Sequence, residues 1–444
     1  MSHEYHNPDM ETLPRKVLMA LQPQKLQSYL PRVYARSGFY RERFDAAGAR
    51  PDQFKTLDDI RRFPITYKSD LRAEQEAHPY FGRIPICEAG ERREMHPSTG
   101  TTGRPVNTIW TRSDIDYFTD MGARVYRGMG VRAGDIIQNA LSQGLWAGGI
   151  SVQYFGFALD CFVIPVGASM TDRQIDFLVN LKTTVLVATP SFALYLSEQL
   201  RERGHSTDDL ALRVGIFGGE AGTALPATRG LLEERLGLDA YDYYALTEIG
   251  ASFTGECRAK AGIHWWEDYH LFEVLDPESL EAVPEGETGA LVVTHLDREG
   301  FPLIRYWTGD FIQMTAEPCP CRRTHIRSPG GIRGRADDMV IFAGANFHPA
   351  QVEQAVRSFP ELSAEYHILL DHDAERRRDT CVVQVESQEP LPDAEAGNLR
   401  DQLVRALREA LLFRPDVEFL PPGSLERTTF KARRVTDHRR QYVR

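Results

Sequence analysis

The sequence predicts an α/β protein: a large N-terminal domain with parallel and mixed sheets and crossover helices, plus a small α+β C-terminal domain. Three observations carry that expectation. From about residue 130 to 250, short apolar runs alternate with amphipathic segments, reaching strand–helix–strand–helix–strand spacing from Val185 on, which suggests a parallel sheet. After Asp337 the pattern changes to β-α-β-β-α-β over the remaining roughly 108 residues, which suggests a separate unit joined at Arg335–Asp338. The chain has 444 residues, enough for two or three domains with one of them large.

The elements follow in order. The first ~80 residues read as helices and loops, and Leu26, Tyr29, Leu30 and Val33 recur at i, i+3, i+4 and i+7 on one helical face. Val185–Ala188 is an apolar run ended by Thr189-Pro190, and Phe192, Tyr195, Leu196 and Leu200 mark the helix after it. Val214–Phe217 is a second run, followed by the loop Gly218-Gly219-Glu220 and a helix near Leu225–Leu236. Asp239 to Ala245 then leads into Leu246-Thr247-Glu248. Ligands of parallel sheets bind at the carboxyl ends of strands, so Gly218–Glu220 and Ala245–Glu248 are expected to border a site. Beyond the junction, Met339–Phe342 reads as a strand, Pro349–Ser358 as a helix, and Ala364–Leu370 and Thr380–Val385 as two strands. Leu399, Leu403, Leu407 and Leu411 form an i, i+4 stripe, and Val417–Leu420 closes with a strand. The expected domains are 1–336 and 337–444. No internal repeat or low-complexity segment interrupts them.

Composition removes several classes of function. Hydrophobic residues make up 42% and charged residues 26%, which excludes an intrinsically disordered or fibrous chain. No stretch approaches the ~18–20 apolar residues that span a bilayer, so no membrane partner is expected. Met1 to Met10 is polar and lacks an apolar core, so no secretory signal is expected. Asp and Glu number 63 against 52 Lys and Arg, and this acidic balance argues against nucleic acid as the main partner. Six cysteines, only Cys319 and Cys321 close together, are not a disulfide framework and point to a reducing cytoplasm.

The most informative stretch is Ser98-Thr99-Gly100-Thr101-Thr102-Gly103-Arg104-Pro105. Its glycines permit torsions that other residues resist, its hydroxyls are short donors, and Arg104 adds charge, so the loop can wrap a polyphosphate. It lacks the Gly-Lys-Ser/Thr ending of the NTPase P-loop. This loop, Tyr244-Ala245-Leu246-Thr247-Glu248, Tyr306-Trp307-Thr308-Gly309-Asp310, Gly334-Arg335-Ala336-Asp337-Asp338 and Lys431 resemble, in order and spacing, the core motifs of the adenylate-forming (acyl-CoA synthetase) superfamily. Four further runs narrow the resemblance to the phenylacetate–CoA ligase family: Val33–Arg41, Pro64–Leu71, Gly144–Gly149 and Thr189–Leu196. The likeness extends from about residue 8 to 437.

The resemblance implies a two-step reaction. A carboxylate attacks the α-phosphorus of Mg·ATP to give an acyl-adenylate and pyrophosphate, and a thiol, usually coenzyme A, then displaces AMP. Bringing two anions together calls for aimed cations and amide dipoles more than for a general base. Carried over residue by residue, Ser98 to Gly103 hold the β- and γ-phosphates, while Gly218, Gly219 and Glu220 line the adenine with Tyr243 and Tyr244 near the ring. Thr247 contacts the α-phosphate, Glu248 ligates Mg²⁺, Asp310 accepts both ribose hydroxyls, and Arg335 braces the ribose or phosphate side. Asp337 is the hinge about which the small, mobile domain swings between an adenylating and a thioesterifying pose. Lys431 reaches the site only in the first. Phe430 stands where the family usually has glycine, and Phe resists positive φ.

For the acyl pocket the resemblance points to Trp146, Tyr154, Phe155, Phe157 and Ala245. An aromatic slot favours a flat aromatic acid, and Trp146 in place of the usual Phe shortens it. The expected substrate is therefore a benzoate-type acid, anthranilate-like forms included, over phenylacetate. Cys257, His264, Cys319 and Cys321 supply four ligands suited to tetrahedral Zn²⁺, and some family members are expected to hold a structural zinc with this pattern. The motifs do not distinguish coenzyme A from a carrier protein, or from an amine or hydroxyl of a second substrate, as the acceptor. A homodimer is common in the family.

Overall fold

Helix Arg15–Arg36 carries the apolar face read above: Leu18, Leu26, Tyr29, Leu30 and Val33 are all buried along it. The computed structural model describes residues 4–98, 104–336, 338–342, 345–373, 378–427 and 434–439.

The alternation between 185 and 248 is a parallel sheet. Strands Phe162–Ile164, Ile136–Asn139, Val185–Ala188, Val214–Phe217 and Asp239–Leu246 lie side by side, each parallel to its neighbour. Helices Pro190–Glu202 and Pro226–Leu236 make the crossovers. Successive residues of one strand point to opposite faces. Val185 and Val187 enter one core with Val125, Tyr126 and Phe155, whereas Leu186 and Ala188 enter another with Phe192, Leu196 and Leu232. Both faces are covered, which is why these strands read as unbroken apolar runs.

The sheet continues antiparallel through Gly250–Gly255, Ile263–His264 and Arg327–Ser328, giving eight strands. Its outermost members are thus the three-residue Phe162–Ile164 and the two-residue Arg327–Ser328. A second, antiparallel sheet has the order His270–Leu275, Gly289–His295, Tyr306–Ile312, Ile332–Arg335. Arg92–Pro97 pairs antiparallel with Asn107–Thr111, the strands between which the Ser98–Gly103 motif falls in sequence.

Residues from 340 onward share a core of their own, including Val352, Val356, Ile368, Val383 and the full stripe Leu399, Leu403, Leu407 and Leu411. That stripe lies on helix Asp393–Leu411. The sheet order is Asp416–Leu420, Arg378–Ser387, Leu362–Asp373, Val435–Asp437. Two details differ from the sequence pattern. Val340–Phe342 pairs with Ala345–Phe347 in a separate hairpin, and the fourth strand of the sheet is Val435–Asp437, too short at three residues to show a period. Helix Pro349–Arg357 packs on helix Pro226–Leu236, where Thr228 Oγ1 donates to Glu353 Oε1 (3.1 Å) and accepts from Arg357 Nη1 (2.9 Å). Among the described residues no helix is long and apolar enough to cross a membrane.

Candidate active site

The parallel strands end on one rim, and the residues there explain its shape. Gly218 follows strand Val214–Phe217; a Cβ at this position would lie 2.7 Å from the Tyr243 carbonyl oxygen, so only glycine lets the two strand ends meet. Gly219 has φ +91°, a left-handed torsion, and faces the Trp146 indole, whose ring edge would be 3.7 Å from an added Cβ. Glu220 Oε1 accepts the Ser191 N–H at 2.7 Å, which pins this turn to the start of helix Pro190–Glu202.

Tyr244, Asp310 and Arg335 come together although 66 and 25 residues separate them. The Tyr244 hydroxyl donates to Asp310 Oδ2, and Arg335 Nη1 donates to Oδ1 at 2.7 Å. Strand pairing sets this up, since Asp310 is the register partner of Arg335. Asp310 is 1% exposed, and burial together with its charge holds the Tyr244 hydroxyl well above its ordinary pKa.

Glu248 is fully buried at the end of the turn after Leu246. No hydrogen bond of good geometry reaches either carboxylate oxygen among the described residues, and the facing cation is Lys68, with Nζ 2.8 Å from Oε1. Arg298 holds the backbone beneath, donating Nη1 to the carbonyls of Glu248 (2.9 Å) and Ile249 (2.7 Å). Lys68 opens helix Lys68–Ala77, which runs beside the motif hairpin. One turn on, Arg72 Nε donates to the Arg104 carbonyl (2.9 Å), and Gln75 bonds both the N–H and the carbonyl of Asn107 (2.9 and 2.8 Å). Lys68, Arg72 and Arg298 received no role from the sequence. The i, i+4, i+7 spacing of Lys68, Arg72 and Gln75 was the signal available for the first two.

Ser98 is buried at the loop base, where its Oγ accepts the Val106 N–H at 2.9 Å, leaving the hydroxyl hydrogen to donate. Thr99, Gly100, Thr101, Thr102, Gly103, Asp337, Phe430 and Lys431 lie outside the described residues. Thr247 and Ala245 are half-buried on the same rim as Glu248, and Tyr243 is buried against Gly218.

The aromatics assigned to the acyl pocket do not form one wall. Trp146 caps helix Ala147–Ala158, half-buried between Gly148 and Gly219. Phe155 belongs to the core instead, edge-on to Tyr126 at 5.4 Å and filling the space over Gly122. Phe157 is 63% exposed on the opposite side of the helix. Tyr154 is half-buried and donates its hydroxyl to Glu94, which also contacts His96 Nε2 at 3.0 Å.

Asp242, two residues before Tyr244, was not read from the sequence. Burial first, then the charge of Glu256, pushes its carboxyl up to about 8, against the pull of Arg229. The folded chain therefore keeps a proton that the unfolded chain has released above its ordinary value of 3.8. Raising the pH favours unfolding through that window. Asp242→Asn has no such proton, so the stability of the natural protein relative to the variant should fall as pH rises from about 4 to about 8 and then level off. Denaturant melts of both proteins across that range check it; parallel curves would place the proton elsewhere.

At the antiparallel end of the large sheet, the pairing of Ile263–His264 with Arg327–Ser328 brings Cys257, His264, Cys319 and Cys321 together. Their ligand atoms all lie within 4.8 Å of one another, with Cys257 Sγ 3.7 Å from Cys319 Sγ and Cys321 Sγ 3.4 Å from His264 Nε2. Two sulfurs each bonded at ~2.3 Å to a tetrahedral zinc would be separated by ~3.8 Å. The donor set and spacing fit that ion.

A family model described as the AMP-binding enzyme C-terminal domain matches residues 344–439. A phenylacetate-coenzyme A ligase of Thermus thermophilus is 37% identical over 453 residues, covering 98% of this chain and 100% of the relative. The phenylacetate-coenzyme A ligase of Escherichia coli is 34% identical over 436 residues and is covered to 97%, as is this chain. Among solved structures, 2-hydroxyisobutyryl-CoA ligase with 2-HIB-AMP in the postadenylation state superposes with a TM-score of 0.92 at 31% identity, covering 98% of this chain and 92% of that one. With 2-HIB-AMP and CoA in the thioesterification state, that ligase gives 0.73 at 31% identity, covering 97% and 91%.

Proposed function

We propose, because this chain belongs to the phenylacetate–coenzyme A ligase family, that it activates an aromatic carboxylic acid with ATP and passes the acyl group to coenzyme A, releasing pyrophosphate and AMP. The observation that carries this reading is the Tyr244–Asp310–Arg335 bridge beside the buried Glu248 on the rim of the parallel sheet. Each Asp310 oxygen has a second lone pair, enough to accept the two hydroxyls of a ribose while Tyr244 and Arg335 hold the carboxylate still. The glycine turn Gly218–Gly219 presents backbone and a flat surface to an adenine, with Tyr243 behind it. The Ser98–Gly103 motif, followed by Arg104 and Asn107 that Arg72 and Gln75 hold, takes the β- and γ-phosphates, and Thr247 takes the α-phosphate. Pre-aimed donors of this kind stabilise the charge that builds on phosphorus when the acid attacks.

Glu248 can offer a hard divalent cation a buried carboxylate, an ion there taking a place beside the Lys68 ammonium that now pairs with Oε1 at 2.8 Å. Mg²⁺ bound there with phosphate oxygens would offset triphosphate charge, and Lys68 supplies positive charge at the same place from the protein itself. Domains 1–336 and 337–444, hinged at Asp337, are supported by the separate core beyond residue 340. Trp146 against Gly219 narrows the acyl slot and favours a ring joined directly to its carboxylate, such as a benzoate or anthranilate. None of the six cysteines forms a disulfide, in keeping with a cytoplasmic enzyme.

The test is ATP–pyrophosphate exchange over a panel of aromatic and aliphatic acids without acceptor, followed by product analysis with coenzyme A. Exchange driven by a small group of aryl acids, and an aryl thioester once coenzyme A is added, is the expected result. Exchange driven by aliphatic acids alone would overturn the substrate class, and an unchanged adenylate after coenzyme A is added would overturn the acceptor.

The Cys257–His264–Cys319–Cys321 cluster holds one Zn²⁺ with all four positions filled by protein, so the ion stabilises and does not react. Elemental analysis should find about one zinc per chain, as four-ligand coordination requires. Cys319→Ser should lose it and lower the melting temperature, and retained zinc in that variant would remove the site.

A further inference from the structure

We infer that Arg434 is a positioning residue for adenylation: it docks the chain segment that follows Lys431 onto the nucleotide rim through Ser191 and Glu220. The inference rests on the reading of Lys431 as the lysine that serves the first half-reaction.

Arg434 is held on its own side by four contacts. Its guanidinium pairs with Glu365, donates Nη1 to the Tyr366 carbonyl (3.2 Å) and lies over the Tyr366 ring at 4.8 Å. Its carbonyl accepts the Ile368 N–H at 2.7 Å, at the point where strand Val435–Asp437 joins the small sheet. The remaining arm of the fork crosses to the large sheet, with Nη2 donating to Ser191 Oγ at 3.0 Å. Ser191 is itself fixed, because its N–H is taken by Glu220, next to the turn Gly218–Gly219. The side chain of Arg434 is only 12% exposed, so this is an enclosed contact and not a surface pair.

Chain length turns that contact into a constraint. Two residues lie between Lys431 and Arg434, and the three Cα–Cα steps from one to the other reach at most ~11 Å. While Arg434 holds Ser191, the chain leading to Lys431 is tethered at that distance or less from the Arg434 backbone, which is itself one arginine side chain from the rim. Glu365 and Tyr366 belong to the same small sheet as Arg434 and would travel with it, whereas Ser191 would not. The Arg434–Ser191 bond is therefore made in one pose only, and its energy goes to the half-reaction run in that pose. Lysine in place of Arg434 has no planar fork to join Glu365 and Ser191 while stacking on Tyr366.

Ser191→Ala removes the crossing bond and leaves the Arg434–Glu365 pair intact, so the fold has no reason to fail. It should slow ATP–pyrophosphate exchange about tenfold, the scale of one hydrogen bond from a charged donor. Conversion of supplied acyl-adenylate and coenzyme A to thioester should be unchanged. Arg434→Lys should show the same split with a larger loss. In a Lys431→Ala background, Ser191→Ala should cost nothing further, because the two act on one step. Equal loss in both half-reactions, unchanged exchange, or full additivity with Lys431→Ala would overturn the inference. If Lys431→Ala itself left exchange intact, the underlying reading of Lys431 would fail instead.

Discussion

Lys431→Ala should lower adenylation by ~10²–10³ while leaving thioester formation from supplied acyl-adenylate nearly unaffected. The size follows from the chemistry of the first step. A carboxylate must approach a triphosphate, so like charges converge before any bond forms, and negative charge then accumulates on the α-phosphoryl group. A fixed ammonium between the two reactants relieves both costs, and removing one such group typically slows a reaction by that factor. The second step has no such encounter: a thiol attacks an already activated carbonyl, and AMP leaves with its charge unchanged in sign. Separate assays, exchange for the first half and thioester release for the second, read the two effects independently. If both fell together, the lysine would be holding the fold or the nucleotide and not the reacting atoms.

Asp310→Asn should behave differently, reducing both half-reactions by ~10²–10³, because the ribose stays bound while the phosphates and acyl group change. The substitution keeps the shape of the side chain but turns one acceptor oxygen into an NH₂ donor and removes the charge. Arg335, now 2.7 Å from Asp310 Oδ1, would face a neutral amide, and the Tyr244 hydroxyl would lose its ionised acceptor. Two hydroxyl hydrogen bonds to a charged group, at ~1.5–3 kcal/mol each, account for the expected loss. The effect should appear chiefly as a raised KM for ATP in exchange and as weaker retention of supplied adenylate in the second step. A loss confined to one half-reaction would remove Asp310 from the ribose.

The contrast between these two residues also shows what the sequence could reveal. Val185–Ala188 and Val214–Phe217 were legible because both sheet faces are covered and every residue is apolar. The leucine stripe from Leu399 to Leu411 was legible because one helical face meets one sheet. Tyr244, Asp310 and Arg335 were each found by motif, yet the bridge they form depends on strand register, which spacing alone does not give. Arg298 had no comparable signal, because it bonds backbone carbonyls, which leave no trace in residue type. Grouping Phe155 with Phe157 ignored a usable signal, since residues two apart on a helix lie ~200° from each other. The Cys/His set was readable as a list of ligands, but the pairing of two strands some 60 residues apart in sequence assembles it.

The eight-stranded sheet ends on strands of three and two residues. An exposed strand edge is a template on which a second chain can add its own backbone, and such short edges offer almost nothing to copy. At the antiparallel end that protection rests on Ile263–His264 and Arg327–Ser328 staying in place, and both flank the Cys/His cluster. Were they to detach, the six-residue strand Gly250–Gly255 would become the new border, with its hydrogen-bonding groups open to solvent. Damage at that corner would therefore show as aggregation. Holding those two short strands in place would keep one molecule from adding its backbone to the next.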